Sequence, residues 1–139
     1  MAYDLQRFKD AQELDYQQAL AEIRAGRKRS HWIWYVFPQL QGLGHSAMCV
    51  RYGIRGMGKA EAYLADDMLR HRLVEISQAL LELGGNDPVV VMGVIDALKL
   101  RSCMTLFSQA SNADPVFQAV LDKYYDGEPD PLTLELLRA

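Results

Sequence analysis

The sequence predicts an all-α fold, and three observations carry that expectation. Aspartate stands directly before proline at Asp87-Pro88, Asp114-Pro115 and Asp130-Pro131. A carboxylate there accepts orphan backbone N–H groups, while proline at the next position gives up no donor the helix needs. Leu69, Leu73, Ile76, Leu80 and Leu83 recur in steps of four and three, which draws one apolar stripe along a helix. Only residues 32–37, aromatic and β-branched, have strand-like composition, and no convincing second strand exists to pair with them.

Taken in order, residues 4–13 and 15–25 read as two helices or one interrupted helix. Asp15 and Gln18 are spaced as a capping box, and Gly26 is a natural stop. Leu5, Phe8, Ala19, Leu20 and Ile23 are their buried positions. The run 32–37 reads as a short buried helix, begun at Ser30 and stopped by Pro38, in preference to a strand of a small mixed domain. Gly42 and Gly44 suggest a tight turn that places His45. Lacking a third glycine and a preceding strand, they are no dinucleotide fingerprint. Gly53, Gly56 and Gly58 mark a loop or broken helix over 50–60. The striped helix is capped at Asp66 or Asp67. Residues 96–109 are apolar on nearly every side, so that helix belongs near the centre of the domain. Val116, Ala119, Val120 and Tyr124 repeat the stripe more weakly, with Gly127 as the stop. No repeat, low-complexity tract or linker divides the chain, and residues 1–139 read as a single helical domain.

At 139 residues, 50% apolar and 24% charged, the chain is long enough to bury a core without metal or disulfide support. Its longest apolar run, residues 89–95, is far too short to span a bilayer. The first residues lack the basic head and apolar middle of a signal peptide. Cys49 and Cys103 stand far apart with no metal-ligand spacing, which fits reduced thiols in a cytoplasmic protein.

Charge is unevenly spread. Residues 21–59 carry seven basic side chains against one acid, Glu22, whereas residues 111–139 carry six acids against two bases. A basic segment in a chain of net charge −3 either presents a local anion site or forms a solvated face offset by nearby acids. Broad nucleic-acid binding is disfavoured by the net acidity.

Three constellations are candidates for chemistry. The first runs from Arg27, Lys28, Arg29, Ser30, His31, Trp32 and Trp34 to Gln39 and His45. With Ser30 as a cap, the free N–H groups of the helix start would meet Arg29 and its neighbours as an anion site. A tryptophan face stacks a base, and a histidine holds a ribose or phosphate. The second is Asp96, Lys99, Arg101, Ser102 and Thr105, polar groups in an otherwise apolar helix. There Asp96 is either a cap paired with Lys99 or a general base, with Lys99 or Arg101 holding a substrate anion. The third is Glu61, a catalytic acid or a plain surface residue. Three histidines at irregular spacing match no metal pattern, and nothing calls for a cofactor.

The chain resembles a family of small bacterial all-helical proteins of unknown function whose members are sometimes mislabelled calpastatin. The resemblance covers nearly the full length. It rests on Asp4, Arg7, Phe8, Ala11 and Gln12; on His31, Trp32, Trp34, the Phe37, Pro38, Gln39 and Leu40 run, Gly42, Leu43, Gly44 and Ser46; and on Glu61, Ala62, Tyr63 and Leu64. It continues through Arg72, Leu73, Asp96, Lys99, Ser102 and Met104 to Phe107, and through Tyr124, Gly127, Asp130, Thr133 and Leu134. It implies an orthogonal bundle of about seven short helices and no established activity. Nothing here looks like a disordered calpain-binding repeat.

A fainter similarity links the order of these segments to bacterial N-glycosidase-like domains of NAD and ADP-ribose metabolism. That similarity implies a hydrolase in which Glu61 or Asp96 stabilises an oxocarbenium-like centre. Trp34 would stack the base, and Arg29 or Lys99 would bind phosphate. Two expectations follow. In one, His31, Trp34, Gln39, His45, Glu61, Asp96, Lys99 and Arg101 converge on a pocket for a small anionic, nucleotide-like ligand. In the other, the basic residues of 24–29 form an exposed patch of a non-catalytic interaction module, whose binding falls steeply with salt.

Overall fold

The computed structural model describes residues 4–138. These hold nine helices: α1 (Gln6–Arg24), α2 (Ile33–Val36), α3 (Ala47–Tyr52), α4 (Met57–Ala65), α5 (Asp67–Glu82), α6 (Pro88–Met92), α7 (Val94–Ser108), α8 (Pro115–Tyr125) and α9 (Pro131–Arg138). The expected all-α class is observed, with nine helices in place of about seven. The additional two, α3 and α4, overlap the two ends of the stretch 50–60 expected to be a loop or broken helix. Ser46 begins α3 by accepting from Cys49 N.

The N-terminal segment is one continuous helix. Asp15 does not cap a second one; its carboxylate accepts the Tyr35 hydroxyl, while the main chain runs on to Gly26. Among the aspartate caps, Asp66 accepts from Met68 and Leu69 N, Asp87 from Val89 N, and Asp114 from Val116 N. Leu69, Leu73, Ile76 and Leu80 are all buried, so the stripe of α5 faces the core as its period requires.

Helix α7 packs against α2, α4, α6, α8 and α9, which accounts for a sequence apolar on nearly every side. Its turns from Ser102 to Phe107 are buried throughout. A chain of aromatic contacts crosses the core: Phe8 of α1 meets Tyr63 of α4 edge-on at 5.4 Å, Tyr63 meets Phe107 of α7 at 5.2 Å, and Phe107 meets Phe117 of α8 at 5.9 Å. These spacings are those that aromatic quadrupoles favour.

Two glycines shape the ground on which a site stands. Gly93 ends α6 and precedes α7 with φ +86°, a conformation that glycine adopts without strain and that turns the chain between the helices. At Gly53 a Cβ would lie 2.6 Å from the Cys49 carbonyl oxygen and 3.0 Å from Gln41 Cα. Only glycine permits that approach, which lets Gln41 N donate to Ile54 O and Ile54 N donate to Gln39 O, at 2.8 and 2.9 Å. This isolated parallel bridge fixes the loop 38–46 against the start of α4.

Candidate functional site

The segment 27–32 does surround an anion, but the anion is the protein's own. Glu22, on the last turn of α1, is 8% exposed. Its Oε1 accepts from Arg29 N (2.7 Å), Ser30 N (3.0 Å) and Trp32 Nε1 (2.9 Å), and its Oε2 from Ser30 Oγ (2.7 Å) and Gln18 Nε2 (3.1 Å). Burial alone would raise its pKa; hydrogen bonds from Ser30, Arg29, Trp32 and Gln18 overcome that and hold it at about 2. The expected helix start at Ser30 is therefore displaced to Trp32, which precedes α2 without a side-chain cap, because Ser30 is committed to Glu22. Arg29 contributes its backbone N–H, and its side chain is exposed.

Lys28 is consumed too. Its side chain, 6% exposed, pairs with Asp96 Oδ2 at 2.7 Å, lies 5.0 Å from the Trp32 ring centroid and donates to Ser30 O. The other Asp96 oxygen pairs with Lys99 at 3.3 Å. Lys99 Nζ then rests 3.7 Å from the centroid of Trp34, a cation over an aromatic face. Two lysines thus share one carboxylate, which leaves one positive charge unmatched at this junction.

Beside this junction opens a cleft of about 360 Å³, walled by the loop from Gln39 to Gly44, by Cys49, and by residues 95–102 of α7, with Asp130 and Leu132 opposite. Arg101 reaches it while its Nε donates to Glu128 O at 3.0 Å and its guanidinium lies 3.8 Å from the exposed Glu128 carboxylate. Asp130 is held by its neighbours: its Oδ2 accepts from Ser102 Oγ (3.0 Å), Thr133 Oγ1 and Thr133 N (3.2 Å) at the start of α9.

The structure brings together Gln39, Lys99 and Arg101 on the cleft, with Asp96 and Trp34 behind Lys99. Trp34 does not line the cleft, since Lys99 covers one of its faces, so the base-stacking role does not find its surface there. His31 and His45 are exposed, and neither lines the cleft, although Gly44 next to His45 does. Glu61 is remote in function: its carboxylate accepts from Ser111 N at 2.9 Å and its carbonyl from Asn112 Nδ2 at 3.0 Å. It ties α4 to the turn after α7, and bonds from Ser111 hold its carboxyl below the ordinary range. Glu61 and Asp96 therefore do not face one reaction centre. Among the described residues no group of His, Cys, Asp and Glu stands as a metal site would require.

Ser102, of the second constellation, lines the cleft as well, and Cys49 and Asp130 are cleft residues that sequence reasoning did not single out as ligands. Asp130 carried the one available signal, its place before Pro131 beside the polar helix. A larger cavity, about 670 Å³, lies elsewhere, between α1 and the end of α3, and contains none of the expected site residues. Its two arginines face three carboxylates: Arg7 pairs with Asp4 and donates to the Arg51 carbonyl, the Arg51 guanidinium lies 5.5 Å from the Tyr52 ring centroid, and Asp10 and Asp15 share the walls, so the smaller cleft is the better candidate for an anion.

A family model described as a protein of unknown function, DUF1810, matches residues 2–137. The chain belongs to that family. The DUF1810 fold is also seen in the crystal structure of the conserved hypothetical protein Rv1873 from Mycobacterium tuberculosis. That protein is 47% identical, with 99% of this chain and 98% of that chain covered and a TM-score of 0.95. No curated protein matches the chain. No described helix is long and apolar enough to cross a membrane.

Proposed function

We propose that this DUF1810 protein binds a small organic anion in the cleft between the 39–44 loop and α7. The observation that carries the reading is the sharing of Asp96 by Lys28 and Lys99, which leaves Lys99 half-matched on the wall of a preformed cavity, while the Asp130 carboxylate on that wall is taken up by Ser102 and Thr133. Its size falls within the range of small-molecule sites. Gln39 supplies a neutral hydrogen-bonding group on the same walls, and Arg101 a second cation whose own partner, Glu128, is exposed. Mononucleotides and ADP-ribose are the first anions to test. The reading is one of binding: Asp96 is engaged through both oxygens and Glu61 lies at another junction, so neither is a free carboxylate at the cleft.

Cys49 supplies the assay. It lines the cleft and is half-buried, whereas Cys103 is fully buried and its thiol pKa is pushed up by that burial. Thiol labelling of the native protein therefore reports on the cleft. An anion that occupies it slows labelling of Cys49 and, by drawing Lys99 from the Trp34 ring, changes tryptophan fluorescence. Both responses are lost in Lys99→Met. Unchanged labelling and fluorescence across ADP-ribose, NAD, mononucleotides and phosphate refute the reading.

The interaction-module reading has less support. Of the basic residues at 24–29, Lys28 is buried against Asp96 and the Arg29 N–H is committed to Glu22, which leaves the side chains of Arg24, Arg27 and Arg29 on the exterior.

A further inference from the structure

We propose that the exposed face formed by α6 and the first turns of α7 is a homodimer interface, on which a second copy of this chain seats and roofs the cleft. Val94, Ile95 and Leu98 are 68%, 69% and 63% exposed, and Val89, Val90 and Leu132 are exposed with them. The remaining large apolar side chains exposed among the described residues, Leu14, Val50 and Met68, lie singly on α1, α3 and α5. The concentration on residues 89–98 is therefore not ordinary scatter, and patches of this kind mark interaction surfaces.

The apolar character of α7 has two origins. Its C-terminal half is buried among other helices, but Val94, Ile95 and Leu98 on its first turns are left exposed by the described residues. Ile95, Leu98 and Leu132 are also cleft walls, so whatever covers this face narrows the mouth of the cleft.

A second copy fits better than the alternatives. At their fractional exposures the six side chains present roughly 600 Å² per copy, so a face-to-face pair buries about 1,200 Å², which reaches the range of specific interfaces. Twofold pairing sets the same apolar face on itself and needs no charge of one sign. Residues 88–95 carry no charge, and the flanking charges are of both signs, Asp87 and Asp96 with Lys99 and Arg101. A membrane surface would call for a basic collar, which this rim and the net charge of −3 do not provide.

The dimer stands independently of the anion reading and is measured without ligand. Sedimentation equilibrium of the full chain between 1 and 100 µM is expected to show a dimer. Ile95→Lys and Val94→Glu, both at exposed positions, are each expected to weaken it at least 100-fold with an unchanged helical circular dichroism spectrum. Cys49 should label faster in either variant than in the wild type at dimer-forming concentration. A wild-type chain that stays monomeric at 100 µM overturns the proposal, as does a dimer that both variants leave intact. A monomer that co-sediments with anionic vesicles assigns the face to lipid and overturns it equally.

Discussion

Replacing Glu22 by glutamine removes one charge from the centre of five hydrogen bonds and changes the side chain's size hardly at all. The carboxyl, ordinarily near 4.5, sits at about 2 in the folded protein. That difference corresponds to about 3 kcal/mol of folding free energy at neutral pH. The sign follows from the direction of the shift. A carboxylate with a depressed folded pKa contributes its full stabilisation above the unfolded value and loses it as pH falls through the folded one. The contribution is therefore complete above about pH 5 and disappears toward pH 2.

Glu22→Gln keeps an acceptor for Arg29 N, Ser30 N and Trp32 Nε1 but turns an amide toward Gln18 Nε2 and Ser30 Oγ, so a smaller, pH-independent loss accompanies the charge term. Urea unfolding followed by tryptophan fluorescence reads the site directly, because Trp32 is one of the donors. The variant should be less stable by about 3 kcal/mol at pH 7, a fall in Tm of roughly 10 °C for a domain of this length. The gap to wild type should shrink steadily between pH 5 and pH 2. A gap below 1 kcal/mol at pH 7, or one that does not change with pH, refutes the account of Glu22 as a buried charge held by its donors.

Three other outcomes follow from the same geometry. Asp96→Asn leaves the buried Lys28 without its counter-charge and should cost about 3 kcal/mol in urea unfolding, whereas Lys28→Met, which leaves Asp96 with Lys99, should cost clearly less. Equal losses would contradict the shared-carboxylate arrangement. Gly53→Ala drives a methyl group against the Cys49 carbonyl and Gln41 Cα, both backbone atoms; a loss of about 2 kcal/mol is expected in thermal unfolding, and a neutral result would mean that the loop does not depend on that approach. Leu73→Ala on the buried stripe of α5 should cost about 3 kcal/mol, while Leu14→Ala, at a position 86% exposed, should change stability by less than about 0.5 kcal/mol.

What was legible in the sequence was local. Asp66, Asp87 and Asp114 announce their helices because a cap acts on N–H groups two and three residues away, and the stripe on α5 is written in the period of one helix. Gly26 and Gly127 mark stops for the same reason, each adopting positive φ just past a helix end. The helices α3 and α4 were not legible, since their glycines look like loop residues. Gly53 is required there by the Cys49 carbonyl four residues back and by Gln41, 12 residues away, whose approach no local window contains. The cleft was legible in part. Gln39, Lys99 and Arg101 do share it, because polar residues beside a glycine turn and within an apolar helix needed a common environment. His31, His45 and Glu61 were joined to them by segment composition alone, and composition says nothing about which face a side chain takes.

The basic segment shows how this distinction governs function. Seven cations against one acid suggest an external anion, yet the one acid, Glu22, occupies the N–H groups of residues 29 and 30, and Asp96, remote in sequence, takes Lys28. Desolvating unpaired charge costs far more than pairing it, so the fold pairs the buried Lys28 internally and leaves Arg24, Arg27, Arg29, Arg51 and Arg55 in solvent. What remains is set by stoichiometry: Glu22 takes backbone and side-chain donors but no lysine, and Asp96 must serve two. Lys99 is the cation left half-matched, held on Trp34 at the edge of an open cleft, and it is there rather than along the exposed arginines of α1 and its following loop that an anion has both a charge to meet and walls to enclose it.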